Sequence, residues 1–247
     1  MSRVDLFLWI ALPYLCLATF VVGHVWRHRR DQLTWTARST QLLEQPLLRV
    51  GSLLFHFGVL AVIGGHVLGI LVPAGVTETI GIDEDTYHLI SIVAGGAAGI
   101  AMTLGFLILL VRRFGHPRVR ATTTRGDLVM YPLLTVAIAT GMLATFGGNL
   151  VDAYHYRETV SPWFRGLFTF RPHADEMASA PFLFQLHAAS VFLLYAVWPF
   201  SRLVHAWSIP LSYLQRAWIP YRSRNPRAAL AHERARARAV GEERSAG

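Results

Sequence analysis

Four histidines carry the chemistry open to this chain: His56, His66, His187 and His205, each inside a long apolar run. Ionisable side chains in such runs are rare, cost free energy to bury and usually mark function. His187 and His205 lie near the two ends of PFLFQLHAASVFLLYAVWPFSRLVHAWSIP, Pro181 to Pro210. Eighteen residues make five turns at 3.6 residues per turn, so on a continuous helix both imidazoles leave one side, roughly 27 Å apart along the axis. That is close to the thickness of a bilayer's hydrocarbon core. His56 and His66 occupy a second apolar run. If the two runs are antiparallel, depth matches His56 with His205 and His66 with His187. Each pair can clamp one planar macrocycle from both faces. An iron ligated in that way shuttles electrons and keeps no open position for substrate. Zinc is disfavoured, because four ligands at two depths cannot meet in one tetrahedron. A histidine proton relay would lack the buried Asp or Glu chain such relays use. Taken singly, each histidine also reads as a hydrogen-bonded core residue; the four together argue for a shared role. One spacing resists. Ten residues separate His56 from His66, roughly 15 Å of helical rise against roughly 27 Å for the other pair. Tilted helices or a bend near Pro199 would reconcile them, since proline removes an intrahelical hydrogen bond.

The elements that must hold these residues follow from composition. Hydrophobic residues make up 53% of the 247 and charged residues 15%, against about 25% charged in ordinary soluble domains; mean hydropathy is +0.38. Long apolar runs with that balance imply an integral membrane protein. The lone Cys16 excludes an intrachain disulfide framework, an iron–sulfur cluster or a cysteine zinc site within the chain. The formal charge is +8 and all 23 basic residues are arginine. They lie between apolar runs, which fits membrane topology rather than a nucleic-acid surface.

Five runs result. The first, Leu6 to about Val25, is followed by the basic WRHRR, the reverse of a secretory signal peptide, and reads as a retained helix with its N-terminus outside. The second spans Leu47 to about Pro73, the third Tyr87 to Val111, the fourth Leu128 to about Leu150, and the fifth is the stretch from Pro181. The arginine-rich connections at 27–49 and 112–127 fall inside by the positive-inside rule; the acidic connection at 74–86 falls outside. A longer outer loop carries PWFRGLFTF, Pro162 to Phe170, a candidate for the membrane interface. The expected fold is therefore an all-α integral membrane protein. It has five transmembrane helices, an outside N-terminus, a cytoplasmic C-terminus, and a heme-binding bundle formed by helices 2–5. One domain covers 1–221, and a basic cytoplasmic tail covers 222–247. Of the other histidines, His28, His116, His155, His173 and His232 lie in loops or the tail and read as solvated; His24 reads as interfacial.

Several blocks point further: TWTARSTQLL (Thr34 to Leu43), LFHFGVLAVIGGHVLG (Leu54 to Gly69), AGGAAG (Ala94 to Gly99), PRVRATTT (Pro117 to Thr124) and PFSRLVHAWSIPLSYL (Pro199 to Leu214). In these the chain resembles the gamma subunit of membrane-bound respiratory nitrate reductase, a diheme cytochrome b family. The resemblance implies two hemes b. His66 and His187 would bind the distal one near the outer face, and His56 and His205 the proximal one near the cytoplasm. It implies oxidation of a quinol, menaquinol or ubiquinol, beside the distal heme near Gly65, His66 and Gly69, with protons released outside. Electrons would pass to an iron–sulfur beta subunit and then to a molybdenum, nitrate-reducing alpha subunit in the cytoplasm. The chain would be the quinol-dehydrogenase part of that oxidoreductase, with no nitrate chemistry of its own, in a bacterial plasma membrane.

The chain departs from the family at one place. Better-known members have a lysine at the start of helix three, implicated in quinone binding; this chain has no lysine, and Tyr87 falls near that position with His88 beside it. Either could bond a quinone oxygen, and each also reads as an interfacial residue. Arg112 and Arg202 are candidates for heme propionate contacts, although the positive-inside rule alone would place them there. Two other functions compete. One is a related diheme cytochrome b serving a heterodisulfide- or sulfite-reductase-type complex. The other is a small transporter or channel, which would carry no heme.

Overall fold

The computed structural model describes residues 1–31, 34–152 and 154–207. Among them are five helices long and apolar enough to cross a membrane: α1 (Arg3–Arg30), α2 (Pro46–Leu71), α3 (Glu84–Gly115), α4 (Arg125–Val151) and α5 (Phe182–Phe200). The tail expected at 222–247 lies outside the described residues.

Four of the five helices start where the sequence offers a side-chain acceptor to the unpaired N–H groups of a first turn; α5 starts after Pro181 without one. Ser2 and Asp5 form a capping box on α1, and Thr124 and Asp127 form another on α4. Asp83 accepts from the Thr86 N–H at 2.8 Å to start α3. Glu44 takes the Leu47 and Leu48 N–H groups at 2.8 and 3.2 Å, and Pro46 opens α2. Arg112 and Arg113 stand in the last turn of α3, where the helix dipole favours cations.

The helices pack as a closely apposed α2–α3 pair and a second group in which α5 lies against both α4 and α1. Glycine sets the first contact. A Cβ on Gly58 would stand 2.5 Å from the Met102 backbone nitrogen, and Gly105 faces the Phe55 backbone just as tightly. Small residues allow backbones to approach in this way within lipid. α1 joins the bundle through Trp9 and Cys16, which are buried with Trp163, Phe184 and Phe192. Leu53, Phe57 and Leu60 on α2 face outward. A continuous apolar exterior of this kind belongs against hydrocarbon rather than water.

The stretch from Pro181 is not one straight helix. The α-helical part of α5 ends at Val197, Trp198–Phe200 tightens into a 3₁₀ turn, Ser201 is extended (φ −114°, ψ −178°), and Arg202–Trp207 forms a second 3₁₀ turn. The reason is Pro199, which has no N–H to continue the ladder. The carbonyls freed by the break are taken up by α1: Arg27 donates to Pro199 O at 2.5 Å and to Ser201 O at 3.0 Å. Within the turn, Ser201 donates to Trp198 O and accepts from the Leu203 N–H. The regular helix thus advances ten residues from His187 to Val197, about 15 Å, the same rise as His56 to His66. The mismatch between eighteen and ten is eased because the regular α-helix ends at Val197 and the chain breaks at Ser201 before it reaches His205.

The segment between α4 and α5 is more than an interfacial patch. Its amphipathic helix Val160–Phe168 buries Val160, Ser161, Trp163, Gly166 and Leu167, and Trp163 donates to Trp9 O at 2.8 Å. Its polar side chains cap the end of α2. Ser161 donates to Gly69 O at 3.0 Å, Arg165 to Ile70 O at 2.9 Å and Arg157 to Val72 O at 3.3 Å.

Candidate functional site

The bundle brings the four histidines together in two pairs. The ring centroids of His66 and His187 are 6.0 Å apart, and those of His56 and His205 are 5.9 Å apart. An imidazole nitrogen lies about 2.0–2.1 Å from a metal it binds, so two imidazoles on opposite sides of one metal put their centroids about 6 Å apart. Both pairs match that distance. Among the described residues no cluster of three or more His, Cys, Asp or Glu side chains forms a metal site. A metal held here would therefore take its remaining ligands from a cofactor, as the iron of a porphyrin does.

The second feature is the state of the rings. In all four, Nδ1 lies against a backbone carbonyl: His56 on Ser52 O at 2.7 Å, His66 on Val62 O at 2.8 Å, His187 on Ala137 O at 2.9 Å and His205 on Arg202 O at 2.6 Å. A carbonyl only accepts, so Nδ1 carries the proton in each, and Nε2 keeps its lone pair. This is the outer-shell arrangement that orients histidines as metal ligands. Three of the four carbonyls come from the histidine's own preceding turn. His187 alone reaches another helix, α4.

α4 does more for His187. A Cβ on Gly141 would stand 2.9 Å from its Cε1, so the ring lies against bare backbone there. Gly64 and Gly65, just before His66, have no neighbour within 4 Å of where a side chain would begin. A flat ring system fits against such a surface. Immediately beyond His66, α2 widens into a π-type stretch, Val67–Leu71, closed by the Val72 N–H on Val67 O at 3.2 Å. Such stretches recur at functional sites.

Tyr87 and His88 point different ways. The Tyr87 hydroxyl would stand 2.7 Å from a Cβ on Gly69, one turn beyond His66. The His88 Nε2 bonds to Asn149 O on α4 at 3.0 Å, and its ring lies 5.5 Å from that of His155. The arginines expected beside anionic groups each hold a carboxylate of this chain. Arg112 is buried, pairs through Nε with Glu44 and also donates to Thr40 Oγ1, Thr40 O and Glu44 O. Arg202 grips Asp127 with two bonds of 2.7 and 2.5 Å. Burial tends to raise the Glu44 carboxyl, but the Leu47 N–H and the Arg112 guanidinium outweigh it and hold it below the usual range.

Sequence reasoning missed Arg27, Asp127, Ala137 and Gly141. A signal existed for Asp127, the single acid in an arginine-rich connection and the last member of a T-x-x-D capping box. Gly141 and Ala137 carry no pattern of their own, since their role is to present backbone to a ring from another helix.

Comparison with known proteins places the chain among relatives. Residues 5–224 match the family described as nitrate reductase gamma subunit. The chain is 44% identical over 218 residues to the nitrate reductase gamma chain of Bacillus subtilis, covering 88% of this chain and 98% of that one. It is 34% identical over 227 residues to the respiratory nitrate reductase 1 gamma chain of Escherichia coli, covering 91% and 100%. It is also 45% identical over 218 residues to the nitrate reductase-like protein NarX of Mycobacterium tuberculosis, covering 87% of this chain but 33% of that longer protein.

Proposed function

The chain belongs to the nitrate reductase gamma subunit family, a family of heme-containing membrane anchors, and from that premise we propose how it works. It is a multi-pass bacterial membrane protein and the cytochrome b-type subunit of an oxidoreductase complex. In our reading His66 and His187 hold one heme b through Nε2, and His56 and His205 hold a second. Bound there, heme would supply a one-electron relay. The residues do the positioning. Four carbonyls hold the Nδ1 protons, Gly141 backs His187, and the Pro199 break brings His205 level with His56.

The His66 end faces outward in this reading, with the N-terminus outside and residue 207 on the cytoplasmic side. A quinol, menaquinol or ubiquinol, binds beside Gly65, His66, Gly69 and Tyr87. Its oxidation releases two protons to the outer face and sends two electrons towards the inner end. There the acceptor is an iron–sulfur beta subunit, followed by a molybdenum alpha subunit that reduces nitrate. Tyr87 rather than His88 faces the quinol, because His88 is turned to Asn149 O. Neither Arg112 nor Arg202 is assigned to a propionate, since each already holds a carboxylate of the chain.

The observation that carries this reading is the pairing itself, two imidazole pairs at 5.9 and 6.0 Å with every Nδ1 on a carbonyl. A reduced-minus-oxidised visible spectrum of the purified complex, with a heme count per gamma chain, tests it. An α band and two hemes b are expected; a chain without heme would sink the reading.

A further inference from the structure

The geometry points to Tyr156 and Arg157, on the outer segment between α4 and α5, as a second wall of the quinol site: with Tyr87 they form an oxygen-binding clamp over Gly69. This rests on the reading of the His66 end as the place where quinol binds. The Tyr87 and Tyr156 hydroxyls are 3.3 Å apart. Both converge on one point, since a Cβ on Gly69 would stand 2.5 Å from the Tyr156 oxygen and 2.7 Å from the Tyr87 oxygen. Gly69 follows His66 by three residues, inside the π-type stretch that begins at Val67, so the clamp lies within one turn of His66 along α2.

Two phenols own two O–H donors, and their mutual bond uses one. The second O–H and the remaining lone pairs are left for a third group. Burial, together with the Tyr87 hydroxyl, pushes the Tyr156 phenol up, so it stays protonated as a donor. Arg157 adds an independent observation. It is 6% exposed, and its guanidinium carbon lies 4.0 Å from the centre of the Tyr87 ring. It donates to Glu84 at 2.8 Å, to Thr77 Oγ1 at 3.2 Å and to Val72 O, yet its Nε–H is buried with no partner. A buried donor without an acceptor, and a cationic one above all, costs free energy and calls for an explanation. A ligand oxygen supplies one. The matching chemistry is a flat apolar ring carrying an oxygen that both accepts and donates, which is a quinone carbonyl in one redox state and a quinol hydroxyl in the other.

Tyr156→Phe in the intact membrane complex tests the clamp, with menadione as the binding probe and menadiol as the electron donor. Menadione binding is followed by calorimetry without nitrate, so the readout does not depend on turnover. The Kd for menadione and the KM for menadiol should both rise about five- to tenfold, as loss of one neutral hydrogen bond predicts, with kcat changed less. The heme difference spectrum should stay unchanged. Tyr87→Phe should act alike, and the double variant should lose less than the product of the two single losses, because the hydroxyls act as a unit. An unchanged Kd in Tyr156→Phe overturns the clamp, and so does loss of the α band, which would make Tyr156 a support for His66 instead. An unsubstituted complex that binds menadione but shows no α band would remove the diheme reading and leave the clamp standing.

Discussion

At the end we propose to be outer, His187 stands on unbroken α5 and its Nδ1 reaches across to the Ala137 carbonyl of α4. At the inner end His205 stands on a 3₁₀ turn beyond a helix break, and its Nδ1 returns to Arg202 three residues back. The outer ring is oriented by the packing of one helix on another, with Gly141 as the contact. The inner ring is oriented by a turn, and that turn is held by charge: Arg27 on the Pro199 and Ser201 carbonyls, Arg202 on the buried Asp127. Two nearly equal ring separations are therefore reached by different forces. The outer end should respond to changes in side-chain volume and the inner end to changes in charge.

The largest effects should come from the ligands themselves. His187→Ala should remove the outer heme and stop quinol oxidation while the inner heme remains. His205→Ala should remove the inner heme and leave the outer one reducible by quinol. Heme content and difference spectra of the purified complexes check this, and a single change that empties both sites of a folded chain would break the comparison. Asp127→Ala comes next. Leaving the part-buried Arg202 without its carboxylate, and α4 without its capping acid, should destabilise the inner end by up to about 3 kcal/mol, read as a lower melting temperature and selective loss of the inner heme. If the outer heme is lost first, charge is not what distinguishes the inner end.

Gly141→Ala should act on the outer end alone. The added methyl meets the His187 ring at 2.9 Å, and overpacking of this kind costs about 1–3 kcal/mol. A changed outer-heme spectrum beside an unchanged inner one is the expected result; equal perturbation of both would show that the ends are not independent. The smallest effect belongs to His88→Ala. Its ring faces Asn149 and His155, so its hydrogen bond lies outside the proposed site and the KM for quinol should change by less than about twofold, under about 0.4 kcal/mol. A rise as large as that for Tyr87→Phe would move His88 into the quinol site.

Much of the architecture was legible from the chain alone. Apolar runs bounded by arginine or acid located the five helices, although the fifth stops at Phe200 rather than running on towards Pro210, because burial of apolar side chains and the cost of placing charge in hydrocarbon act on composition directly. The depth relation of the four histidines followed from the antiparallel order of the second and fifth runs, while helical rise alone gave unequal spacings. Pro199 marked where the fifth run would bend, though not that the chain would leave the helix altogether. The carboxylate partners of the two arginines were not legible, since Glu44 and Asp127 lie 68 and 75 residues away along the chain. Tyr156 and Arg157 stood in a loop that looked only polar and aromatic, and nothing local tied them to Gly69.

The amino-acid sequence by itself determined that this is a multi-helix membrane protein with four histidines at two depths, since periodicity, hydropathy and residue spacing are properties of one segment at a time. Only the tertiary structure decided how the pairs close: which carbonyl holds each Nδ1, that Gly141 backs His187, that Arg27 holds the break in α5, and that two phenols meet over Gly69. Each of these is a contact between distant segments, and its geometry exists only once the helices have packed.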